Sequence, residues 1–152
     1  MDNNEVISHL NSLIETCRDG QNGFLEAAEN VKNPQLKEFF LQTSQERARC
    51  VGDLQQEVQR LGGDPENTGS TAAVIHRVWM DIKGTLTGQD DQSILNEVER
   101  GEDSAVSAFK SALEADLPAN IRSVVESHYL QVKQAHDRAK QLRDSKTATS
   151  SR

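Results

Sequence analysis

The sequence predicts an all-α protein of one domain, and three observations support this prediction. Charged residues make up 27% of the chain and aromatic residues only 4%, which is typical of helices packed through small aliphatic side chains. Several long stretches repeat their apolar residues at the alternating three- and four-residue spacing of an amphipathic helix, and the alternation typical of β-strands is missing. The length of 152 residues fits one domain with one continuous core.

Four strong breaks divide the chain into five helical segments. Glycine, proline, asparagine and aspartate favour turns, and they cluster at Asn33-Pro34, Gly62 to Pro65, Gly88 to Asp91 and Leu117-Pro118. The predicted helices therefore cover residues 4–31, 34–61, 71–87, 91–116 and 118–143. We expect a single domain of residues 1–144, followed by a disordered tail of small polar residues at 145–152.

The first two segments each carry one apolar stripe. The stripe of the first segment consists of Val6, Leu10, Leu13, Cys17, Gly20, Phe24, Ala27 and Val31. The second segment begins with Pro34, a residue favoured in the first helical turn, and its stripe consists of Leu36, Phe40, Thr43, Arg47, Cys50, Leu54, Val58 and Leu61. The short connection between the two segments predicts an antiparallel helical hairpin.

The third segment, residues 71–87, is a shorter amphipathic helix. Its apolar face consists of Ile75, Val78, Trp79, Ile82 and Leu86. A helix of this length covers about 25 Å, which is enough to carry the chain back along a bundle. The helices on either side of it can therefore run parallel to each other.

The last two segments predict a second antiparallel hairpin. Their stripes consist of Leu95, Val98, Glu102, Ala105, Phe109 and Ala112 in the fourth segment and Ile121, Val125, His128, Val132, Ala135, Ala139 and Leu142 in the fifth. Two antiparallel hairpins, joined by a short crossover helix between the second and third long helices, have the connectivity of a ferritin-like four-helix bundle.

The charge and the termini exclude several classes of partner. A net charge of −7 disfavours nucleic acid and anionic membranes, because both reward a basic surface. The N-terminus lacks the basic and apolar regions of a signal peptide, and we expect a cytoplasmic protein with no membrane span. Cys17 and Cys50 lie on apolar helical positions, which favours buried reduced thiols over reactive ones.

A ferritin-type di-iron site is not predicted. Such a site needs a glutamate from each of two helices and a Glu-x-x-His motif from each of the other two. No Glu-x-x-His motif is present in the sequence. The residues three positions before His9, His76, His128 and His136 are Val6, Ala73, Val125 and Lys133, and none of them is a glutamate. The sequence also lacks nucleotide and phosphate-binding motifs, so we expect no cofactor and identify no small-molecule substrate.

Three strongly polar residues fall on the core stripes instead: Arg47, Glu102 and His128. By helical rise, Arg47 and Glu102 lie at about 21 and 18 Å from the same end of the bundle, so they can form a buried ion pair, extended by His128. Gly20 on the first helix would leave room for the guanidinium. The alternative is that the drift of the helices relative to a strict heptad repeat turns both residues to the rim of the bundle, where they would not be buried. An altered metal site that uses Glu99, Glu102, His128 and His136 is a further alternative.

The chain also resembles a known family. The stretches "LIETCRDGQNGFLEAAENV", "RLGGDP" and "ERGED" are similar to a bacterial ferritin-like four-helix-bundle family of unknown function, whose members are small and often stress-associated. The resemblance runs from about Ile7 to Asp144, and it implies a ferritin-like fold without an established enzyme activity. Arg47, Glu99, Glu102 and His136 match the family pattern, whereas His128 stands where relatives carry glutamine.

Two interpretations of function follow. The first is a non-catalytic structural or stress-related interaction protein that forms a homo-oligomer or binds a protein partner. For its contact surface, Trp79 and Met80 on the crossover helix are the candidates, because aromatic residues and methionine are enriched at interface cores; Trp79 packed on its own bundle is the alternative. The second interpretation is a ferritin-like metal binder or oxidase with an altered carboxylate and histidine site.

Overall fold

In the residues that it describes, the computed structural model contains five α-helices. It describes the backbone of residues 2–65 and 70–150 and the side chains of residues 2–65 and 76–145. The helices are α1 (Asn3–Asn30), α2 (Pro34–Arg60), α3 (Ser70–Leu86), α4 (Asp91–Glu114) and α5 (Ala119–Ser150), and these described ranges contain no β-strand. The predicted all-α class is confirmed.

Helix α5 continues past residue 143, where the predicted helix ends, to Ser150. The prediction of a disordered tail at 145–152 falls mostly on residues whose side chains lie outside the described part of the chain. The end of the domain at residue 144 therefore stays a prediction. None of the described helices is long and apolar enough to cross a membrane.

Side-chain caps fix the starts of three helices. Asp2 accepts a hydrogen bond from the backbone N–H of Glu5 at the start of α1, and Asp90 accepts one from Ser93 at the start of α4. Asn33 caps α2 directly before Pro34, which occupies the first turn. Each cap satisfies backbone donors that have no partner inside the helix.

Contacts between helices show their relative directions. Cys17 lies against Cys50 and the backbone of Gln21 lies against Ser44, so α1 and α2 are antiparallel. Helices α4 and α5 are antiparallel as well, because the contacts Asp103–His136 and Phe109–Tyr129 advance along α4 while they go back along α5. The two hairpins are thus formed by neighbouring helices in the sequence.

Helices α2 and α4 run parallel to each other. Asn33, the cap of α2, bonds to Asp91 at the start of α4. Further towards the C-terminus of both helices, Arg47 bonds to Glu102. Helix α3 makes this possible by carrying the chain back between α1 and α4, both of which it contacts.

Trp79 fixes α3 to the bundle. Its side chain is 1% exposed, and its ring lies against Gly23 of α1 and Gly101 of α4, where a Cβ atom would come within 2.2 and 2.3 Å of ring atoms. Only glycine leaves enough space at these two positions. Of the two alternatives for Trp79, packing on its own bundle is the one observed, whereas Met80 is exposed.

The described apolar side chains form two clusters in the interior, one in each half of the bundle. The half that holds the α1–α2 and α3–α4 connections contains Phe24, Phe40, Trp79, Leu95 and Val98, with further residues. The other half contains Leu10, Leu13, Leu54, Phe109 and Val125, with further residues. Along α2 and α4 the two clusters are separated by buried polar residues, which include Arg47 and Glu102.

Candidate functional site

A buried ion pair lies at the level between the two apolar clusters. Arg47 Nη1 donates to Glu102 Oε1 at 2.7 Å, and Arg47 Nη2 donates to Glu102 Oε2. Arg47 is 2% exposed and Glu102 is completely buried. The two parallel bonds match the planar guanidinium to the carboxylate, the strongest geometry for such a pair. We call the level of Gly20, Arg47 and Glu102 the waist of the bundle.

Helix α1 shapes the waist around the guanidinium. A Cβ atom on Gly20 would lie 2.8 Å from Arg47 Nη1, so the missing side chain provides the space that the guanidinium fills. The Phe24 ring lies one turn along the same helix, with its centroid 5.5 Å from Arg47 Cζ. A cation above an aromatic face is attracted by the ring quadrupole. The arginine thus has partners on α4 and α1.

The charges at the waist stabilise each other. Burial by itself lowers the pKa of Arg47, but the charge of Glu102 and its hydrogen bonds outweigh that effect and raise the pKa above its ordinary value. The guanidinium therefore stays charged in the interior. An isolated charge at this depth would cost several kcal/mol, about the penalty expected for burying one ion.

His128 has a different partner from the predicted one. It is 7% exposed, and its Nε2 donates to Asp53 Oδ2 at 2.8 Å, between α5 and α2. Its Nδ1 atom is buried without a hydrogen-bond partner among the described residues. The sequence places His128 on the inner stripe but does not reveal Asp53, because that aspartate lies on the exposed side of α2.

The residues at the waist do not fit the di-iron site that a ferritin-like fold implies. Two bridged cations need several carboxylates and two inward imidazoles at one level. Here the space between the helices is filled by a guanidinium, which repels cations, and its charge already occupies both oxygens of Glu102. Glu99 points elsewhere, towards α5, where it bonds to Arg143.

A second polar cluster lies on a neighbouring face of α4, between α4 and α5. It consists of Glu99, Asp103 and His136, each with one ligand atom within 4.8 Å of the others. Glu99 and Asp103 are about 40° apart around the helix, so they share one face, whereas Glu102 is turned about 60° away from Glu99. The altered metal site considered from the sequence included Glu99 and His136 but missed Asp103. The i, i+4 spacing of Glu99 and Asp103 was the signal for it.

His136 faces a carboxylate at each ring nitrogen. Nε2 lies 2.5 Å from Asp103 Oδ1, and Nδ1 lies 3.1 Å from Asp137 Oδ1. Burial lowers the pKa of His136, but the hydrogen bonds to Asp137 and Asp103 outweigh it and raise the pKa above the ordinary value. The bond to His136 also lowers the pKa of Asp137. The cluster therefore favours a positive charge at the position of the imidazole.

The two cysteines meet in the interior between α1 and α2. Cys17 Sγ and Cys50 Sγ are 2.9 Å apart, and both residues are 1% exposed. This distance exceeds that of a disulfide, about 2.05 Å, and both thiols are free. Burial raises the pKa of Cys50 well above its ordinary value, which disfavours the reactive thiolate.

A groove of about 500 Å³ lies between the start of α2 and the end of α5, away from the waist. Its lining includes Phe39, Arg138 and Leu142. The guanidinium of Arg138 covers the Phe39 ring, with Cζ 5.1 Å from the centroid. The groove contains neither the ion pair nor the Glu99–Asp103–His136 cluster.

Comparison with known proteins identifies one family. The family model described as a domain of unknown function, DUF2383, matches residues 5–115. The matched region includes Arg47, Glu99, Glu102 and Asp103, whereas His128 and His136 on α5 lie beyond it. No match was found among curated proteins.

Proposed function

The chain belongs to the family of the domain of unknown function DUF2383, and we propose that it is a non-catalytic, ferritin-like helical bundle that acts through its surface. In this proposal the Arg47–Glu102 ion pair takes the place that a di-iron site would occupy in a metalloprotein of the same architecture. The bundle serves as a structural or stress-related interaction protein. It binds a protein partner or a second copy of itself.

The directions of the helices support the ferritin-like arrangement. The parallel pair α2 and α4, the two antiparallel hairpins and the crossover by α3 all occur in that architecture. The contacts that carry this argument are Asn33–Asp91 and Arg47–Glu102 for the parallel pair. The Asp19–His76 contact places α3 beside α1.

The pairing of Arg47 with Glu102 at the waist is the observation that carries the proposal, and we call this waist charge-closed because the two charges compensate each other. Catalysis in the interior of such a bundle needs a space where a metal ion or substrate can bind. At the waist, the positive and negative groups instead satisfy each other by two hydrogen bonds, and apolar residues pack on both sides. Among the described residues, the charges at the waist are thus already paired with each other, and this supports a function that the surface carries.

A structural role can explain why an ion pair lies in the core of this bundle. Such pairs contribute little net stability, but they can fix the register and orientation of helices that apolar packing alone would leave ambiguous. The stripes of this bundle consist mainly of apolar residues, so the paired charges of Arg47 and Glu102 would specify which levels of α2 and α4 meet. A well-defined surface depends on that register.

The alternative function, a metal binder or oxidase with an altered site at the waist, is less well supported by this geometry. It would need Glu99 and Glu102 to converge on one position, but the two carboxylates bond to different partners, Glu99 to Arg143 on α5 and Glu102 to Arg47 on α2. It would also need His128 to point to the waist, whereas its Nε2 bonds to Asp53.

Metal analysis tests the proposal. The full chain would be purified from cells grown with added iron, and bound iron and manganese would be measured by mass spectrometry. We expect no stoichiometric metal that depends on Glu102. Iron or manganese at one or two ions per chain, lost in Glu102→Gln but retained in an exposed control such as Glu38→Gln, would overturn the charge-closed waist. Light scattering after size-exclusion chromatography would measure whether the chain associates with itself.

A further inference from the structure

We propose that Glu99, Asp103 and His136 form a mononuclear site for a first-row divalent cation such as Zn²⁺, which links α4 to α5. The site is separate from the waist and independent of the proposed function. It offers two carboxylate oxygens from one helical face and one imidazole nitrogen from the neighbouring helix. This set of nitrogen and oxygen ligands suits zinc and similar ions, which bind imidazole and carboxylate at about 2.0–2.2 Å.

The geometry is close to that of a metal site. The three ligand atoms lie within 4.8 Å of one another, so small rotations of the side chains bring them to the spacing around one ion. Asp103 Oδ1 and His136 Nε2 already point at each other at 2.5 Å. An ion would enter between them and take the place of the proton that they share.

His136 is already oriented for such a role. Its Nδ1 donates to Asp137 Oδ1 at 3.1 Å, which leaves Nε2 facing Glu99 and Asp103. A carboxylate behind the imidazole is the usual outer partner of a metal-binding histidine, because it fixes the ring and makes the other nitrogen more basic. Asp137 therefore acts as a positioning residue.

The charge around the cluster also favours a cation. Glu99, Asp103 and Asp137 place three carboxylates around one imidazole. The counter-charge comes from Arg143, which bonds to Glu99, and from Lys133, which bonds to Asp137 Oδ2 at 3.4 Å. Arg143 additionally bonds to Asp144 through Nε and Nη2. It can thus keep one carboxylate partner when Glu99 turns to an ion.

The site combines rigidity with access. The Glu99 side chain is 10% exposed, whereas that of Asp103 is 63% exposed. A buried ligand on a helix limits the possible positions of the ion, and the exposed aspartate provides a path for it from the solvent. With three protein ligands, a tetrahedral ion would keep one position for water.

Titration of the full chain with Zn²⁺ and Co²⁺ tests the site. After treatment with a chelator, isothermal titration calorimetry would measure Zn²⁺ binding, and visible absorption would report the coordination of Co²⁺. We expect one ion per chain. Asp103→Asn and His136→Gln should each weaken binding by more than tenfold, and Asp137→Asn should weaken it by about 10- to 100-fold, as outer-partner changes do.

Matched variants separate this site from other acidic groups. His76→Gln removes another histidine that bonds to an aspartate, Asp19, and should leave binding unchanged. The double variant Arg47→Met/Glu102→Leu, which removes both charges of the waist together, should also leave it unchanged, so that zinc bound at Glu99, Asp103 and His136 is distinguished from metal bound at the waist. Zn²⁺ should raise the melting temperature of the wild-type chain but not of Asp103→Asn, whose exposed position makes misfolding a poor explanation. No stoichiometric binding, or binding that survives both Asp103→Asn and His136→Gln, would overturn the proposal.

Discussion

Arg47 is the residue whose environment is most demanding. It is fully charged and 2% exposed, and its guanidinium is accommodated by a glycine on α1, a phenyl ring and one carboxylate. Because Glu102 is its bidentate partner, the loss of either residue leaves a buried charge without compensation. The energetic effect of each substitution therefore depends on whether the partner is still present.

The ion pair predicts a large departure from additivity. Arg47→Met and Glu102→Leu should each lower the free energy of unfolding by about 3–5 kcal/mol, because one unpaired ion stays in the core. The double variant should be far less destabilised than the sum of the two and should lie within about 1 kcal/mol of wild type or above it. Urea denaturation followed by circular dichroism measures all three values.

Glu38→Ala provides the reference for a surface glutamate on α2. Its effect should stay within about 0.5 kcal/mol. If Glu102→Leu costs no more than this control, or if the two single effects simply add, the pair does not contribute as the geometry indicates.

Asp19 predicts a pH dependence of stability. It is 7% exposed, and Oδ2 has no hydrogen-bond partner within the described residues. Burial raises its pKa, an effect that the bond to His76 and the charge of Lys83 partly offset and Glu15 reinforces. The folded chain thus holds the proton more tightly than the unfolded chain. The corresponding stability is present below the ordinary pKa and is lost as the pH rises through the raised value.

The variant Asp19→Asn tests this sign because it cannot titrate. From about pH 4 to pH 7 the wild-type chain should lose stability relative to the variant. Urea denaturation at several pH values measures the difference, with exposed Asp116→Asn as the control. If the wild-type chain instead gains stability relative to Asp19→Asn as the pH rises, the fold stabilises the carboxylate rather than disfavouring it.

At the scale of elements, α3 depends on the shape of its neighbours. The flat ring of Trp79 lies between two glycines on different helices, Gly23 and Gly101, and it also contacts the Phe24 ring at 5.9 Å between centroids. Glycine lowers the stability of a helix interior by about 1 kcal/mol relative to alanine. These two positions accept that cost because α3 could not otherwise approach α1 and α4 so closely.

Substitution of these glycines should therefore displace α3. Gly23→Ala and Gly101→Ala should each destabilise the fold by about 1–3 kcal/mol through overpacking. Trp79 is the only tryptophan, so a shift of its fluorescence emission to longer wavelength would report exposure of the ring directly. Gly52→Ala is the matched control on α2, where an added Cβ meets nothing within 4 Å. It should stabilise the fold by about 0.5–1 kcal/mol, and an equal effect at all three positions would contradict the role of Trp79.

At the scale of the whole molecule, polar contacts between described residues join the two hairpins. One is the waist, and another is Asp91 at the start of α4, whose two oxygens accept from the backbone N–H groups of Lys32 and Asn33 at 2.8 and 2.9 Å. The second contact satisfies donors in the α1–α2 connection that have no helical partner. It also sets the level at which α4 begins relative to α2.

Asp91→Ala should destabilise the molecule by about 1–3 kcal/mol, because two charge-assisted hydrogen bonds are lost. Asp91→Asn keeps only one acceptor oxygen and should have a smaller effect. Thermal and urea denaturation measure both. Asp116→Ala, at an exposed position of the α4–α5 connection, should change stability by less than about 0.5 kcal/mol. Equal losses at Asp91 and Asp116 would argue against a specific link between the hairpins.

The helices themselves could be predicted from the sequence because their signals are local. The breaks at Asn33-Pro34 and Leu117-Pro118 and the three- and four-residue spacing of apolar side chains act within a few residues. The observed helices begin and end close to the predicted positions, apart from the longer α5. The similar levels of Arg47 and Glu102 also follow from the sequence, because a constant rise per residue converts sequence distance into height.

Only the tertiary structure decided which polar side chains on different helices bond to each other. The rotation of each helix about its axis depends on the packing of all its neighbours, and the sequence does not contain it as a local pattern. For this reason His128 bonds to Asp53, Asp103 rather than Glu102 faces His136, and Trp79 lies between two glycines. The sequence by itself determined the helices and their levels, whereas the packing of their faces determined the partners, since a turn of about 60° moves a side chain from the core to a neighbouring helix.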